Sequence, residues 1–197
     1  MTKERETTQR EETTILAVDD LPEYLELYEA RLGDRYDVET AEGGEEALDK
    51  LDDEVDVVLL DRSMPGLSGD EALARIRDSD YDCRVAMVTA VEPDVDVIDL
   101  GFDAYLTKPV SKETLVDTVE RLLQRSQYDE EVADLYRLCT KRAVVRQRVS
   151  ESDVSESEEF RELQSKIRER RDVVDDLVAD FDHDDFRATF RDLPSTE

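Results

Sequence analysis

The sequence predicts an α/β fold, a doubly wound parallel sheet of five strands, followed by a C-terminal antiparallel hairpin of two helices. Short apolar runs alternate five times with segments of helical spacing, and several of these runs contain no polar residue. Unbroken apolar runs are typical of parallel strands that helices cover on both faces. The hairpin is predicted because the apolar residues after position 127 recur at spacings of three and four.

The first three strands are predicted at residues 15–18, 36–40 and 55–60. After the first strand, Pro22 stands where the first turn of a helix tolerates proline, and apolar residues continue at helical spacing as far as Gly33. The second strand alternates as a half-buried strand does, and a pair of glycines then precedes the second helix. The third strand is apolar almost throughout, which indicates a central position in the sheet.

The second half of the sheet follows the same alternation. Strands are predicted at residues 84–89 and 104–106, with a short helix near residues 95–100 between them. A helix from residue 111 to about residue 125 closes the unit. Five strand and helix units joined by right-handed crossovers form a doubly wound parallel sheet.

The net charge of the chain calls for a separate explanation. The chain has 54 acidic and 26 basic residues, which gives a formal charge of -28, and only six of the basic residues are lysine. This composition resembles that of proteins from salt-loving microbes. At molar salt the Debye length falls to about 3 Å, so repulsion between surface carboxylates is screened. The alternative is an acidic surface that binds a partner.

Composition also excludes several classes of site and of protein. Cys83, Cys139 and the single histidine, His183, lack the spacing of a zinc site. No apolar run approaches the ~18 residues that span a membrane, and residues 1–12 form a polar tail that we expect to be flexible. Two free thiols fit a reducing compartment. These observations lead us to expect a cytoplasmic protein that makes no contact with a membrane.

Polar residues follow four of the predicted strands at the point where each strand ends. Asp19 and Asp20 follow the first strand, Asp61 follows the third, Thr89 ends the fourth and Lys108 comes just after the fifth. In an open parallel sheet, ligands bind in the crevice beyond the carboxyl ends of the strands. We therefore expect these five side chains to form one pocket.

These residues belong to four blocks that occur in one order along the chain. The blocks are Asp19-Asp20, Asp61-Arg62-Ser63-Met64-Pro65-Gly66 with Gly69, Thr89-Ala90, and Tyr105-Leu106-Thr107-Lys108-Pro109. In their order and setting, the blocks make residues 13–126 resemble the receiver domain of two-component response regulators, a flavodoxin-like fold.

The resemblance implies a role for each residue of the pocket. Asp61 would accept a phosphoryl group from a histidine kinase as an acyl phosphate. Mg²⁺ would be bound directly by Asp20, Asp61 and the backbone carbonyl of Ser63, and by Asp19 directly or through water. Lys108 would contact a phosphoryl oxygen as a fixed cation. No cofactor other than Mg²⁺ is implied.

The resemblance also implies a switch. The Thr89 hydroxyl would move to the new phosphoryl oxygens and the Tyr105 ring would swing inward, so that phosphorylation shifts the population of two states. The surface that changes, the switch face, is formed by the fourth helix, the Tyr105 strand and the fifth helix, and it is a candidate dimer or partner surface. The plainer alternatives are a strand-end hydroxyl for Thr89 and a core aromatic for Tyr105.

The remaining segment, residues 127–197, carries two helical seams. The apolar seams, with an arginine in each, comprise Leu135, Leu138, Arg142, Val145 and Val149, then Phe160, Leu163, Ile167, Arg170, Val174, Leu177 and Phe181. A serine-rich and acidic stretch at residues 150–157 is predicted to form the turn. Tyr128-Asp129, Leu135-Tyr136 and Lys141-Arg142-Ala143 resemble the HalX domain that follows receivers in haloarchaea.

The function predicted from these patterns is that of a response regulator in a phosphorelay, without a catalytic output domain. The helical hairpin would dimerise or bind a partner protein. The alternative is a transcription regulator that binds DNA through this segment, since its first helix carries a basic stretch. Against DNA binding, the segment holds 12 basic and 20 acidic residues, a net charge of -8, and contains no helix-turn-helix pattern.

Overall fold

A computed structural model describes residues 13–93, 97–98, 100–149, 153 and 157–180. The predicted N-terminal tail, most of the predicted helix near residues 95–100 and of the turn at 150–157, and the segment from Phe181 onward with His183 lie outside the described residues. The chain divides into two compact units, Met1–Leu123 and Gln124–Glu197.

The first unit contains the predicted five-stranded sheet. Its strands are β1 Thr14–Val18, β2 Asp37–Ala41, β3 Val55–Leu60, β4 Arg84–Thr89 and β5 Ala104–Thr107. They run parallel in the order β2-β1-β3-β4-β5. The order reverses direction between β1 and β3, and that reversal opens a crevice at the carboxyl ends of the strands. The predicted fold class is therefore confirmed.

Helices cover the sheet on both faces. They are α1 Pro22–Leu32, α2 Gly44–Lys50, α3 Gly69–Arg77 and α4 Lys112–Arg148. Because side chains alternate along a strand, Leu16 and Leu60 pack with α2 and α3 on one face, whereas Ile15 and Leu59 pack with α1 and the start of α4 on the other. The central strands are buried on both faces, as their unbroken apolar runs predict.

The predicted end of a helix near Arg125 is wrong. Helix α4 continues from Lys112 to Arg148, so the last helix of the sheet unit and the first helix of the hairpin are one element. The physical reason is that residues 112–148 contain neither glycine nor proline, the residues that end helices most effectively. The periodicity of the apolar residues changes near residue 125, but the backbone does not break there.

The second unit contains the predicted antiparallel hairpin, formed by residues 124–148 of α4 and by α5, Glu158–Asp180. Phe160 and Ile167 of α5 are buried. Arg146 stacks over the ring of Phe160 at 6.0 Å, and Arg170 pairs with Glu131 at 2.5 Å, which places opposite ends of the two helices side by side. The arginine in the second seam is thus accommodated by an ion pair across the hairpin.

Candidate functional site

Backbone hydrogen bonds beyond the ends of the strands position the predicted site residues. The amide of Asp19 donates to Ala41 at 3.1 Å, that of Asp61 to Val18 at 2.9 Å, and that of Lys108 to Thr89 at 2.8 Å. Each bond extends the ladder of a neighbouring strand by one step. The three side chains therefore start from one edge of the sheet, at the carboxyl ends of β1, β3 and β5.

Two buried carboxylates share one ammonium group at this edge. Lys108 Nζ donates to Asp19 Oδ2 at 2.6 Å and to Asp61 Oδ1 at 2.7 Å. The second oxygen of each carboxylate accepts a backbone N–H, from Leu21 at 3.1 Å and from Ser63 at 2.6 Å. Asp19 is 0% exposed and Asp61 is 5% exposed. The structure thus brings Asp19, Asp61 and Lys108 into direct contact.

The cluster contains two carboxyl groups but one ammonium group. Burial raises the pKa of Asp19, and the hydrogen bond from Lys108 offsets this only in part. Burial by itself would lower the pKa of Lys108, but its hydrogen bonds to Asp19 and Asp61 outweigh burial and raise it. When both carboxylates are ionised, two negative charges share one positive charge, and the cluster therefore favours the approach of another cation.

The oxygen donors at this edge fit a hard divalent cation in chemical type. Carboxylates and backbone carbonyls are the protein ligands that Mg²⁺ takes, usually only one or two of them together with water. Asp20 is half-buried and follows Asp19 directly, and Ser63 lies two residues after Asp61. Within the described ranges, no three Asp, Glu, His or Cys side chains are close enough to form a metal cluster. The ligand types are therefore present at this edge, but the described side chains do not form a ready-made metal site.

Thr89 and Tyr105 both contact the backbone of Val91. The hydroxyl of Thr89, which is 0% exposed, accepts the N–H of Val91 at 3.3 Å. The hydroxyl of Tyr105 donates to the carbonyl of Val91 at 2.8 Å, and the Tyr105 ring lies 5.5 Å from that of Phe102. A single residue of the loop after β4 therefore joins the two predicted switch side chains.

The loop from Arg62 to Gly69 has little steric freedom. Gly66 adopts a φ of 78°, which favours glycine, and a Cβ atom on Gly69 would lie 2.1 Å from the carbonyl oxygen of Asp61. Arg62 Nε donates to both carboxylate oxygens of Asp70 at 3.0 Å. The side chain of Arg62 is thereby held at the start of α3, and Gly69 allows the backbone to pack closely beneath Asp61.

Sequence reasoning missed one residue of the site, Tyr24. Its ring lies 3.9 Å, measured to the centroid, from Lys108 Nζ. Tyr24 lies in the first turn of α1, and no spacing in the sequence indicates that its ring would meet Lys108. The contact of Val91 with Thr89 and Tyr105 was also missed, since an apolar residue in a loop carries no such signal.

The buried charge of Asp19 leads to a prediction on stability. A raised pKa in the folded state means that wild-type stability falls as pH rises through that pKa. In EDTA, Asp19→Asn should therefore increase the free energy of unfolding at neutral pH, and the gain should vanish below about pH 4, where the carboxyl is protonated in both states. Denaturant unfolding at fixed KCl measures this difference.

Asp49→Asn is the control, because it removes a carboxylate at an exposed position. It should change stability much less than Asp19→Asn and without the same dependence on pH. A loss of stability in Asp19→Asn at neutral pH would contradict the view that this carboxylate is a net electrostatic cost to folding.

Family models match both parts of the chain. Residues 15–120 match the response regulator receiver domain, and residues 124–190 match the HalX domain. A Haloferax volcanii protein named as a candidate transcriptional regulator is 47% identical over 157 residues, which are 79% of this chain and 27% of that protein. This haloarchaeal relative agrees with the composition of the chain. The chain spans 27% to 52% of the length of the first curated relatives that it matches.

Solved structures agree with the family assignment. A CheY-like response regulator receiver domain protein of Methanospirillum hungatei is 27% identical, with a TM-score of 0.56, over 60% of this chain and 98% of that chain. The response regulator TrrA of Thermotoga maritima, solved in complex with Mg²⁺ and BeF, is 36% identical, with a TM-score of 0.50, over 56% of this chain and 99% of that chain. The chain therefore belongs to the two-component response regulators, with a receiver domain followed by a HalX domain.

Proposed function

We propose that Asp61 is the phospho-acceptor of this response regulator and that a histidine kinase supplies the phosphoryl group. The observation that carries the proposal is the buried contact of the Asp61 carboxylate with Lys108 at the reversal of strand order. Backbone bonds hold Asp61 at the mouth of that crevice, where one carboxylate oxygen can reach an incoming phosphorus atom.

The transfer needs one nucleophile and compensation of negative charge. An Asp61 oxygen forms a bond to phosphorus while the P–N bond of a phosphohistidine breaks, and the electron pair stays on the histidine nitrogen. Lys108, already between Asp19 and Asp61, is in reach of the phosphoryl oxygens as a point charge. The phosphoryl group stays on the protein as a signal, so we regard the receiver as a switch and not as a turnover enzyme.

Mg²⁺ is the cofactor that we propose for this transfer. Asp19, Asp20, Asp61 and the carbonyl of Ser63 would hold it, and it would neutralise charge on the phosphoryl oxygens. Support comes from the excess negative charge of the buried cluster and from the Mg²⁺ in the TrrA complex. The described carboxylates do not form a ready-made metal site, so we propose that side chains at this edge adjust when the ion binds.

The contacts of Val91 suggest how the switch is read. In this structure the Thr89 hydroxyl accepts a hydrogen bond from the N–H of Val91 at 3.3 Å. If the hydroxyl turns to a phosphoryl oxygen, that hydrogen bond breaks. The carbonyl of the same residue holds the Tyr105 hydroxyl at 2.8 Å. A movement of the Val91 backbone would therefore release Tyr105 at the same time, which links the chemistry at Asp61 to the β5 surface.

Intact mass spectrometry tests the acceptor directly. The full chain, incubated with Mg²⁺ and a small phosphodonor in molar KCl, should gain one phosphoryl group. Asp61→Asn should gain none, because it lacks the nucleophile, and wild type in EDTA should be labelled at least about tenfold more slowly, since the negative charges would be uncompensated.

Asp70→Asn is a matched control, because it removes a partly buried carboxylate that pairs with Arg62, the residue next to the acceptor. It should still be labelled. Absence of label on the wild type, or equal labelling of Asp61→Asn, would overturn the proposal.

For the hairpin, we propose self-association through the outer face of α4. Three large apolar side chains of α4 remain exposed: Val132 and Tyr136, one helical turn apart, and Val144 further along the helix, which are 37%, 73% and 50% exposed. Phe160 and Ile167, by contrast, are buried inside the hairpin. Exposed apolar side chains that the hairpin itself leaves uncovered suit a partner helix.

The charges along α4 favour a second, antiparallel copy as that partner. Residues 129–134 contain four acidic residues and no basic one, and residues 137–148 contain five basic residues and no acidic one. An antiparallel copy brings each acidic half against a basic half. An isologous contact of this kind closes as a dimer.

Direct DNA binding by the hairpin is the second candidate, favoured by the name of the Haloferax relative and by the basic half of α4. The groove between α4 and α5 is lined by four cations. Three of them already pair with carboxylates: Arg137 with Asp134, Lys166 with Glu162, and Arg170 with Glu131. Cations paired in this way have less charge to offer to phosphates, so we rank DNA binding second.

Tyr136→Glu separates the two candidates. Sedimentation of the full chain in molar KCl, with and without phosphodonor, should show a dimer for wild type, and at least about tenfold weaker association for Tyr136→Glu, because a carboxylate would be buried at the contact. Val178→Glu changes an apolar side chain of similar exposure, 51%, on α5 and should leave association unchanged.

A wild type that stays monomeric with and without phosphodonor would contradict the dimer. A specific shift of promoter fragments by that monomer would favour the DNA-binding alternative.

A further inference from the structure

The ammonium group of Lys108 contacts three groups, and only two of them are carboxylates. Nζ donates to Asp19 at 2.6 Å and to Asp61 at 2.7 Å, and the centroid of the Tyr24 ring lies 3.9 Å away. The side chain of Lys108 is 6% exposed, so water has little access to the ammonium. The ring therefore faces a desolvated cation, the setting in which cation–π attraction is strongest.

The ring of Tyr24 packs against a second tyrosine, Tyr28. Its ring stacks on that of Tyr28 at 6.3 Å, with an angle of 28° between the planes. Tyr28 is 2% exposed and packs in the core between α1 and the sheet. Burial raises the pKa of Tyr28, so its hydroxyl stays neutral and adds no charge beside the carboxylates. The residue that packs against Tyr24 is therefore buried in the core and uncharged.

From this geometry we propose that Tyr24 is a positioning residue for Lys108. The face of its ring holds the ammonium group at the mouth of the crevice, in reach of both Asp61 and a phosphoryl group attached to it. This inference rests on the proposed role of Asp61 and adds a residue that none of the four sequence blocks contains.

The ring can do what a third carboxylate could not. Phosphorylation of Asp61 would require Nζ to move from Asp61 Oδ1 to a phosphoryl oxygen. A ring face attracts a cation anywhere above it within about 6 Å of the centroid, so the contact can persist during that movement. A third carboxylate would hold the ammonium by directed hydrogen bonds and would add a negative charge that repels the phosphoryl group.

The test compares two substitutions in the full chain. Tyr24→Phe keeps the ring, and Tyr24→Leu keeps an apolar side chain but removes the ring. With Mg²⁺ and a small phosphodonor in molar KCl, Tyr24→Leu should be phosphorylated about tenfold more slowly, and Tyr24→Phe should recover the wild-type rate within about twofold.

A second measurement reports the position of Lys108 directly. Protons above an aromatic ring resonate upfield, so the ε-methylene signal of Lys108, assigned with Lys108→Arg, should be shifted upfield in wild type and in Tyr24→Phe. It should return to the ordinary lysine position in Tyr24→Leu. The unphosphorylated protein serves for this measurement, so it does not depend on the proposed phosphotransfer.

The outcomes separate this inference from the proposed function. If wild type takes up no phosphoryl group, the role of Asp61 fails, whatever the spectra show. If wild type is labelled, then a wild-type rate in Tyr24→Leu, or a rate in Tyr24→Phe as low as that in Tyr24→Leu, overturns the inference. Should Tyr24→Leu fail to fold, phenylalanine with increasing ring fluorination at position 24 replaces it. Rates that do not fall with each added fluorine then overturn the inference, because fluorine weakens the negative ring face and largely keeps its shape.

Discussion

The burial of two carboxylates with a single ammonium is the interaction on which the rest of the receiver depends. Asp19 and Asp61 are held below the surface by backbone bonds that prolong the sheet, and Lys108 pairs with both of them as a counter-charge. Such an arrangement costs folding energy unless a further cation or a hydrogen bond compensates it. When both carboxylates are ionised, this edge of the sheet therefore carries one uncompensated negative charge. That charge favours binding of a cation, which in turn favours a phosphoryl group.

Much of the surrounding structure keeps this edge in place. Gly69 lets the chain pass directly under Asp61, and a capping box formed by Ser68 and Glu71 starts α3 immediately beyond the loop. On the other side, α1 carries Tyr24 against Lys108. In a chain with a formal charge of -28, general repulsion is screened by molar salt, whereas a buried cluster is screened much less. The uncompensated negative charge of the buried cluster therefore persists even in molar salt.

The sequence predicts the sheet and the meeting of Asp19, Asp61 and Lys108, because chain order and strand ends determine which residues meet at the edge of a parallel sheet. It does not predict the contact of Tyr24 with Lys108, which depends on the side-chain direction of a helix packed across the sheet. The continuity of α4 was also missed. A change of apolar periodicity near Arg125 resembles a boundary, but only a glycine, a proline or a cap would have ended the helix.

The most direct test of the account is a crystal structure of the full chain with Mg²⁺ and beryllium fluoride, the combination named for the TrrA complex. We expect beryllium fluoride on an Asp61 oxygen, the metal ion beside Asp20 and the carbonyl of Ser63, and Lys108 Nζ moved onto a fluorine atom while it remains over the Tyr24 ring. Beryllium fluoride bound away from Asp61, or Lys108 still bonded to Asp61 Oδ1 at 2.7 Å, would contradict it.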